Sequence, residues 1–186
     1  LPQRELRAGL AEVIKYGIID DATLFRRLER KLPSLLKLDA KEMSHVIARS
    51  CQIKAKIVEQ DEREGGLRAI LNYGHTIGHA LEAISSYGKY LHGEAISIGQ
   101  VAASKISRDQ HDLGQAEVDR IEALFAGAGL PTTVALSKPE TTKLLAAMKL
   151  DKKVSGGQIK FVLAKSIGNV NFGIDVPQAT IKASLH

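Results

Sequence analysis

Apolar residues recur along most of the chain at the three- and four-residue spacing of an amphipathic helix, most clearly between residues 68 and 84. Read as one helix, this stretch places five apolar residues on one side: Ile70, Tyr73, Ile77, Leu81 and Ile84. Four polar residues fall opposite them, at spacings of four, three and four: Arg68, Asn72, His75 and His79. Because residues at these spacings share a helix face, the pattern predicts a helix that packs inward and projects four functional side chains together.

The same periodicity predicts further helices at 5–19, 21–32, 40–60, 92–110, 115–129, 138–148 and 177–184. Pro33 is expected to interrupt the second of these helices, and Asp39 to cap the third. Only near the C-terminus does the period become strand-like, at 158–164 and 169–175. The predicted fold class is therefore mostly α-helical, a multi-helix domain with a small two-stranded β element near the C-terminus. Residues 1–186 are expected to form a single helical domain.

The predicted helix at 40–60 contains a lysine on its apolar side. Six residues define that side: Met43, Val46, Ile47, Ser50, Ile53 and Ile57. Lys54 falls in the middle of the same arc. Its ammonium group either extends along the apolar surface to solvent, which is the usual behaviour, or meets an anion inside. This helix alone leaves both interpretations open.

Two glycines, Gly74 and Gly78, lie one turn apart beside the histidines of the 68–84 stretch. Each glycine in a helix interior costs roughly 1 kcal/mol relative to alanine. Two such losses in one turn indicate that another group approaches the backbone closely there.

Composition narrows the possible functions. The 186 residues are 44% hydrophobic and 25% charged, as in ordinary globular proteins, and no stretch approaches the roughly 18 apolar residues of a membrane span. The net charge is +5, but basic and acidic residues are mixed and only 4% are aromatic. A small anionic substrate is therefore expected rather than a nucleic acid.

The single cysteine, Cys51, fits a reducing compartment, and we expect a cytoplasmic protein. The opening LPQREL indicates a chain entered partway.

Histidines suggest a metal site. His75 and His79 are four residues apart, and His92 follows in the triplet HGE. Two histidines at this spacing can both ligate a metal from one helix, although such pairs also occur by chance. The pattern is not the HExxH of zinc proteases.

Glu12 and Lys15 share a face of the first helix, where the simplest interpretation is a surface ion pair worth a few tenths of a kcal/mol. The chain has no glycine-rich phosphate loop and no GxSxG motif.

Several longer motifs carry a family resemblance: LPQRELRAGLAEVIKYGII, DEREGGLRAILNYGHTIGHALE, LHGEAISIGQVAAS, and MKLDKK followed by GQIKFVL. In this order they resemble the C-terminal part of 3-dehydroquinate synthase, over almost the whole chain. The resemblance implies a mostly helical metal-binding domain, with NAD bound mainly by an N-terminal domain absent from this chain. It also implies a possible homodimer.

The resemblance assigns roles residue by residue. Glu12, His75 and His92 match the ligands of a zinc (or cobalt) ion. His79 matches a residue that contacts the substrate and transfers protons, which replaces the simpler pairing of His75 with His79 on the metal. Lys15 and Asn72 are expected to take part in catalysis. Substrate-binding positions are matched by four residues: Lys54, Glu64, Arg68 and Lys152.

The implied reaction converts 3-deoxy-D-arabino-heptulosonate 7-phosphate to 3-dehydroquinate and phosphate in the shikimate pathway. NAD transiently oxidises a ring hydroxyl, phosphate is eliminated, the ketone is reduced, and an intramolecular aldol reaction closes the carbocycle. Other sugar-phosphate cyclases, such as 2-deoxy-scyllo-inosose synthase, share the metal site and are the nearest alternative. A catalytically silent, metal-binding helical module is the alternative from another class.

Overall fold

Most of the chain is helical in the computed structural model, which describes residues 2–61, 66–85, 88–151 and 159–185. Its α-helices are α1 Gln3–Ile19, α2 Ala22–Leu36, α3 Ala40–Gln60, α4 His75–Ile84, α5 His92–Gln110, α6 Gln115–Gly127, α7 Lys138–Asp151 and α8 Gln178–Ser184. A 3₁₀ helix, Leu67–Asn72, precedes α4, and the strands β1 Lys160–Ser166 and β2 Asn169–Asp175 follow α7. The predicted fold class is confirmed.

The prediction of one continuous helix over 68–84 is wrong. The 3₁₀ helix ends at Asn72, and α4 begins at His75 after a turn in which Gly74 takes a left-handed conformation with φ of 79°. A side chain there would collide with α5, because a Cβ atom on Gly74 would lie 2.6 Å from the backbone nitrogen of Gln100. The close approach that the two glycines predicted is therefore present, and it coincides with the break.

The break separates the polar residues but leaves the apolar pattern intact. Arg68 and Asn72 belong to the 3₁₀ helix, so they do not share one helical arc with the histidines of α4. The apolar residues of the stretch still face inward, four buried and the last half-buried: Ile70, Tyr73, Ile77, Leu81 and Ile84. Burial therefore follows the hydrophobic pattern across a change of backbone conformation.

Two further sequence expectations, one on α2 and one on α3, fail. Pro33 does not interrupt α2, which continues to Leu36. Proline removes one backbone hydrogen bond and strains the preceding turn, but the continued helix buries Leu35 completely. Ile47, predicted on the apolar face of α3, is 51% exposed, and Lys54 is also exposed. The reason is that α3 buries only a narrow strip of residues: Glu42, Val46, Ser50, Ile53 and Ile57.

The two strands form an antiparallel hairpin in which Lys160 pairs with Asp175 and Ser166 with Asn169. The hairpin confirms the predicted strand pair, although Gln158, where the first strand was expected to begin, lies outside the described residues. Its register shifts twice, once in each half of β1. In the turn, the N–H of Gly168 donates to the carbonyl of Ile18 at 2.8 Å, which docks the hairpin on the end of α1.

Helix α5 runs between two apolar clusters and is buried on nearly all sides. One cluster, which includes Val101 and Ala103, joins α5 to α1, α2, α3 and α6. The other, which includes Ile98 and Ala102, joins α5 to α4, α7, α8 and β1. Most of its buried residues are apolar or small, and four are polar: Ser97, Gln100, Ser104 and Ser107. A helix without a charged outer face along most of its length is expected in the interior. The single domain over 1–186 stays a prediction, which this shared helix supports.

In the part of the chain that the structure describes, no helix combines the length and apolar character needed to cross a membrane.

Two glycine substitutions test the close helix packing with opposite expected signs. A Cβ atom on Gly99 of α5 would lie 2.1 Å from the carbonyl oxygen of Gly74, so Gly99→Ala should destabilise the fold by about 1–3 kcal/mol. Gly9 of α1 is exposed and has no such neighbour within 4 Å, so Gly9→Ala should stabilise by about 0.5–1 kcal/mol. Urea unfolding of the 186-residue chain, followed by circular dichroism, measures both. Equal midpoints for Gly99→Ala and the unmodified chain would contradict the packing argument.

Candidate metal centre

Three side chains from three helices converge on one point. Glu12 lies in α1, His75 begins α4 and His92 begins α5. One ligand atom from each lies within 4.8 Å of the other two. Oε1 of Glu12 is 3.5 Å from Nε2 of His75 and 4.0 Å from Nε2 of His92. The three residues for which the family resemblance implied a common metal are thus neighbours in space.

Backbone packing brings these helices together. A Cβ atom on Gly93 would lie 1.9 Å from the carbonyl oxygen of Ala8, so the start of α5 touches α1 one turn before Glu12. The left-handed turn at Gly74 starts α4 at His75, directly beside α5. Each histidine therefore occupies the first position of a helix whose neighbour lies at backbone contact distance.

Glu12 is held by a buried lysine. Nζ of Lys15 donates to Oε2 of Glu12 at 2.6 Å, and Lys15 is only 3% exposed. The interpretation of this pair as a surface ion pair is therefore wrong. The reason is that α1 packs against α5 and α3, which leaves Lys15 buried and Glu12 half-buried. The hydrogen bond fixes one oxygen of the carboxylate and leaves the other directed at the histidines.

Burial and charge set the protonation states of the site. Burial raises the pKa of Glu12, but the Lys15 ammonium and the two histidines lower it more, and the net pKa lies below its ordinary value. Burial lowers the pKa of Lys15, Glu12 opposes this, and the charge of Lys54 lowers it further. Burial, followed by Lys15, lowers the pKa of His75 to about 4, against the opposing effect of Glu12. His75 is therefore neutral near pH 7 and keeps a lone pair on one ring nitrogen.

The arrangement fits a metal ion. Oε1 of Glu12 is buried and has no hydrogen-bond partner among the described residues, and burial of such an atom is costly unless something satisfies it. Zinc is commonly bound by histidine and carboxylate ligands at about 2.0–2.2 Å, which for a tetrahedron separates ligand atoms by roughly 3.4 Å. The distances of 3.5 and 4.0 Å need only small side-chain adjustments to meet that spacing.

His79 lies beside this cluster and belongs to a second possible ligand group. Its ring centre is 5.1 Å from that of His75 and 5.9 Å from that of His92. His79, Glu82 and His92 also offer ligand atoms within 4.8 Å of one another. His92 is thus common to both groups, and Nδ1 of its ring lies 3.2 Å from each carboxylate oxygen of Glu82.

The other predicted site residues are more dispersed. Lys54 is exposed on α3, close enough to Lys15 for its charge to lower the pKa of that lysine. Arg68 and Asn72 line an open surface depression on the 3₁₀ helix, together with Ala69 and Leu71. Glu64 and Lys152 lie outside the described residues.

Sequence reasoning missed three residues that support the site. Glu82 contacts the ring of His92, as above. Arg4 donates to both carboxylate oxygens of Glu94 at 2.7 Å, and this ion pair joins the start of α1 to the start of α5. Glu94 also accepts from the backbone N–H of Leu91 at 2.8 Å. Spacing could have indicated Glu82, which follows His79 by three residues and shares its helix face.

Comparison with known families and sequences identifies relatives of this chain. The family model described as 3-dehydroquinate synthase C-terminal matches residues 9–154. The 3-dehydroquinate synthase of Nitrosospira multiformis is 48% identical over 181 residues, which cover 97% of this chain and 49% of the relative. That of Gloeobacter violaceus is 49% identical over 185 residues, covering 100% of this chain and 51% of the relative. The chain spans about half the length of these curated relatives.

Solved structures with the same fold include two cyclases. The 2-epi-5-epi-valiolone synthase of Streptomyces hygroscopicus subsp. jinggangensis, with NAD+ and Zn2+ bound, matches with a TM-score of 0.89 at 28% identity. The match covers 100% of this chain and 51% of that protein. A 2-deoxy-scyllo-inosose synthase, complexed with carbaglucose-6-phosphate, NAD+ and Co2+, matches with a TM-score of 0.84 at 24% identity, over 100% of this chain and 53% of that protein. At that identity, the second match bears on the fold alone.

Proposed function

Since the chain belongs to the 3-dehydroquinate synthase family, we propose that it forms the metal- and substrate-binding half of an enzyme that makes 3-dehydroquinate. The substrate is 3-deoxy-D-arabino-heptulosonate 7-phosphate, and phosphate is the second product. The enzyme is a carbon–oxygen lyase of the shikimate pathway in the cytoplasm. Homodimer formation, implied by the family resemblance, stays a prediction.

One observation carries the proposal: the unsatisfied Oε1 of Glu12 faces His75 and His92 inside a cluster with the charge and spacing of a metal site. The two histidines reach that point from the starts of different helices, so neither position is explained by packing of one helix alone. The ion is zinc or cobalt, and zinc is the metal bound in the 2-epi-5-epi-valiolone synthase structure.

The bound ion would act as a Lewis acid that polarises the reacting oxygen of the substrate. Glu12, His75 and His92 would hold it, while the Lys15 ammonium compensates the negative charge of Glu12 and keeps its carboxylate ionised. His79 stands one ring away and relays protons between the substrate and solvent. Asn72 assists by donating to or accepting from the reacting oxygens.

Positive side chains around the centre bind the anionic substrate. Lys54 and Arg68 provide exposed and half-exposed cations on α3 and the 3₁₀ helix, and arginine suits bidentate contacts with carboxylate or phosphate. Glu64 and Lys152 complete the proposed contacts. NAD is bound mainly by a separate half of the enzyme, in agreement with the half-length coverage of the relatives.

The principal alternative is another sugar-phosphate cyclase, such as a 2-deoxy-scyllo-inosose synthase. Identity of 48–49% to two 3-dehydroquinate synthases, against 28% and 24% to the structurally similar cyclases, favours dehydroquinate synthesis. Assay of the complete enzyme with both substrates separates the two. A catalytically silent metal-binding module is excluded if the complete enzyme turns over either substrate.

The metal ligands can be identified by substitution in the 186-residue chain. Glu12→Gln, His75→Ala and His92→Ala should each lower zinc affinity by more than the 10–100-fold that is typical for loss of a hydrogen-bonding partner of a metal ligand. His79→Ala should leave affinity nearly unchanged. Competition with a chromophoric chelator measures all four. Loss of zinc in His79→Ala, with retention in Glu12→Gln, would instead assign the metal to the group His79, Glu82 and His92.

The role of Lys54 is tested by Lys54→Met in the chain joined to the N-terminal half of a related 3-dehydroquinate synthase. Because Lys54 is exposed, the substitution should change stability little. Loss of a charge-assisted contact with the substrate should lower kcat/KM by on the order of 10- to 100-fold. Lys41→Met, another exposed lysine of α3, is the matched control. Unchanged kinetics in Lys54→Met would return Lys54 to an ordinary solvent-exposed role.

The 186-residue chain on its own should fold and yet release no phosphate from the heptulosonate phosphate in the presence of NAD+ and zinc. Folding is expected because its helices bury extensive apolar faces. Inactivity is expected because the reaction begins with hydride transfer, and the described residues contain no dinucleotide-binding fold. Addition of a relative's N-terminal half should restore turnover. Robust turnover by the pure chain would contradict the division of labour proposed here.

A further inference from the structure

His92 is the least constrained of the three proposed ligands. Its side chain is 49% exposed, whereas that of His75 is 12% exposed. Nδ1 of His75 lies 3.1 Å from the carbonyl oxygen of Tyr73, so the backbone fixes that ring. The exposed ring of His92 needs a hydrogen-bond partner of its own if it is to be held with a lone pair directed at Glu12.

Glu82 provides that partner. Nδ1 of His92 lies 3.2 Å from both Oε1 and Oε2 of Glu82, and an ionised carboxylate only accepts hydrogen bonds. Nδ1 must therefore carry the proton in the neutral ring, which leaves the lone pair on Nε2. Nε2 is the atom that lies 4.0 Å from Oε1 of Glu12.

We propose that Glu82 is a positioning residue, which fixes the tautomer and orientation of His92 so that Nε2 is presented to the metal. The inference rests on the proposed function, because it takes Glu12, His75 and His92 as the ligands. Carboxylates that accept from the second nitrogen of a metal-bound histidine orient the ring and increase its basicity. The two histidines of the centre are thus oriented differently, one by a backbone carbonyl and the other by a carboxylate.

The position of Glu82 on α4 supports this role over that of a direct ligand. Glu82 follows His75 by seven residues on the same helix face, while His92 lies across the contact between α4 and α5. A metal placed between Glu82 and Nδ1 of His92 would have to displace the hydrogen bond that both oxygens make. A metal on the Nε2 side keeps that bond and also satisfies Oε1 of Glu12.

Zinc affinity of the 186-residue chain tests the proposal. Glu82→Ala should lower the affinity by about 10–100-fold, and Glu82→Gln should lower it less, because an amide oxygen can still accept from Nδ1. Glu122→Gln is a matched control, since the side chains of Glu82 and Glu122 are both 33% exposed and Glu122 pairs with Lys105, away from the site. Urea midpoints establish that each variant is folded, and Glu82→Gln carries the test if Glu82→Ala does not fold.

A spectroscopic measurement separates positioning from general stability. Long-range ¹H–¹⁵N correlations of the metal-free chain should show His92 as the Nδ1–H tautomer, with a shift toward Nε2–H in Glu82→Ala. The visible spectrum of the cobalt-loaded Glu82→Gln variant should indicate the same cobalt coordination number as that of the cobalt-loaded unmodified chain. An unchanged tautomer, or a change in coordination number that shows Glu82 to be a ligand, would overturn the proposal.

The outcomes also distinguish this inference from the function on which it rests. If Glu12→Gln loses zinc while Glu82→Ala retains full affinity, the metal centre stands and the role of Glu82 fails. If both variants retain full affinity, the proposed metal centre itself fails.

Discussion

Backbone contact between α5 and its two neighbours is the constraint on which the rest of the structure depends. At Gly93 and Gly99 the helix has no side chain, and the space that one would need is filled by carbonyl oxygens of Ala8 and Gly74. Interiors are packed too densely to absorb an added methyl group without movement. The small residues thus fix how near α1 and α4 come to α5, and so whether a carboxylate on one can meet histidines on the others.

Within that frame, the ion pair between buried Lys15 and half-buried Glu12 sets the charges of the cluster. Lys15 occupies one oxygen of Glu12 and leaves the second without a hydrogen bond. A half-buried pair of this kind is costly unless its remaining lone pairs are satisfied. A divalent cation bound there would satisfy Oε1 of Glu12 and would also use the neutral ring of His75. The lysine has a second effect: its charge helps to keep His75 unprotonated and able to coordinate.

Much of the fold could be predicted from hydrophobic periodicity, because burial follows it even where the backbone does not. Ile70, Tyr73 and Ile77 face inward on both sides of an unpredicted turn. The turn itself depends on the backbone of α5, about 25 residues away along the chain, which no local pattern reveals. The same limit explains α2, where burial of Leu35 outweighs the effect of Pro33.

For the candidate site, spacing alone favoured a different pair of histidines from the one that lies nearest to Glu12. His75 and His79 share a helix face, but the ligand group nearest to Glu12 combines His75 with His92 from another helix. The family resemblance supplied that combination, and with it Glu12. Glu82 was overlooked because it contacts His92, a residue of a different helix. Its position three residues after His79, on the same helix face, was nevertheless visible in the sequence.

The distribution of these residues along the chain has a consequence for the order of folding. His75 and His92 are joined by packing of the consecutive helices α4 and α5, whereas Glu12 precedes them by 63 and 80 residues. Contacts between distant parts of a chain require closure of a long loop, whose entropy must be lost before the contact compensates for it. The two histidines are therefore expected to meet early, and the carboxylate to arrive when α1 docks. The cluster of Glu12, His75 and His92 is therefore complete only in a chain that has finished folding.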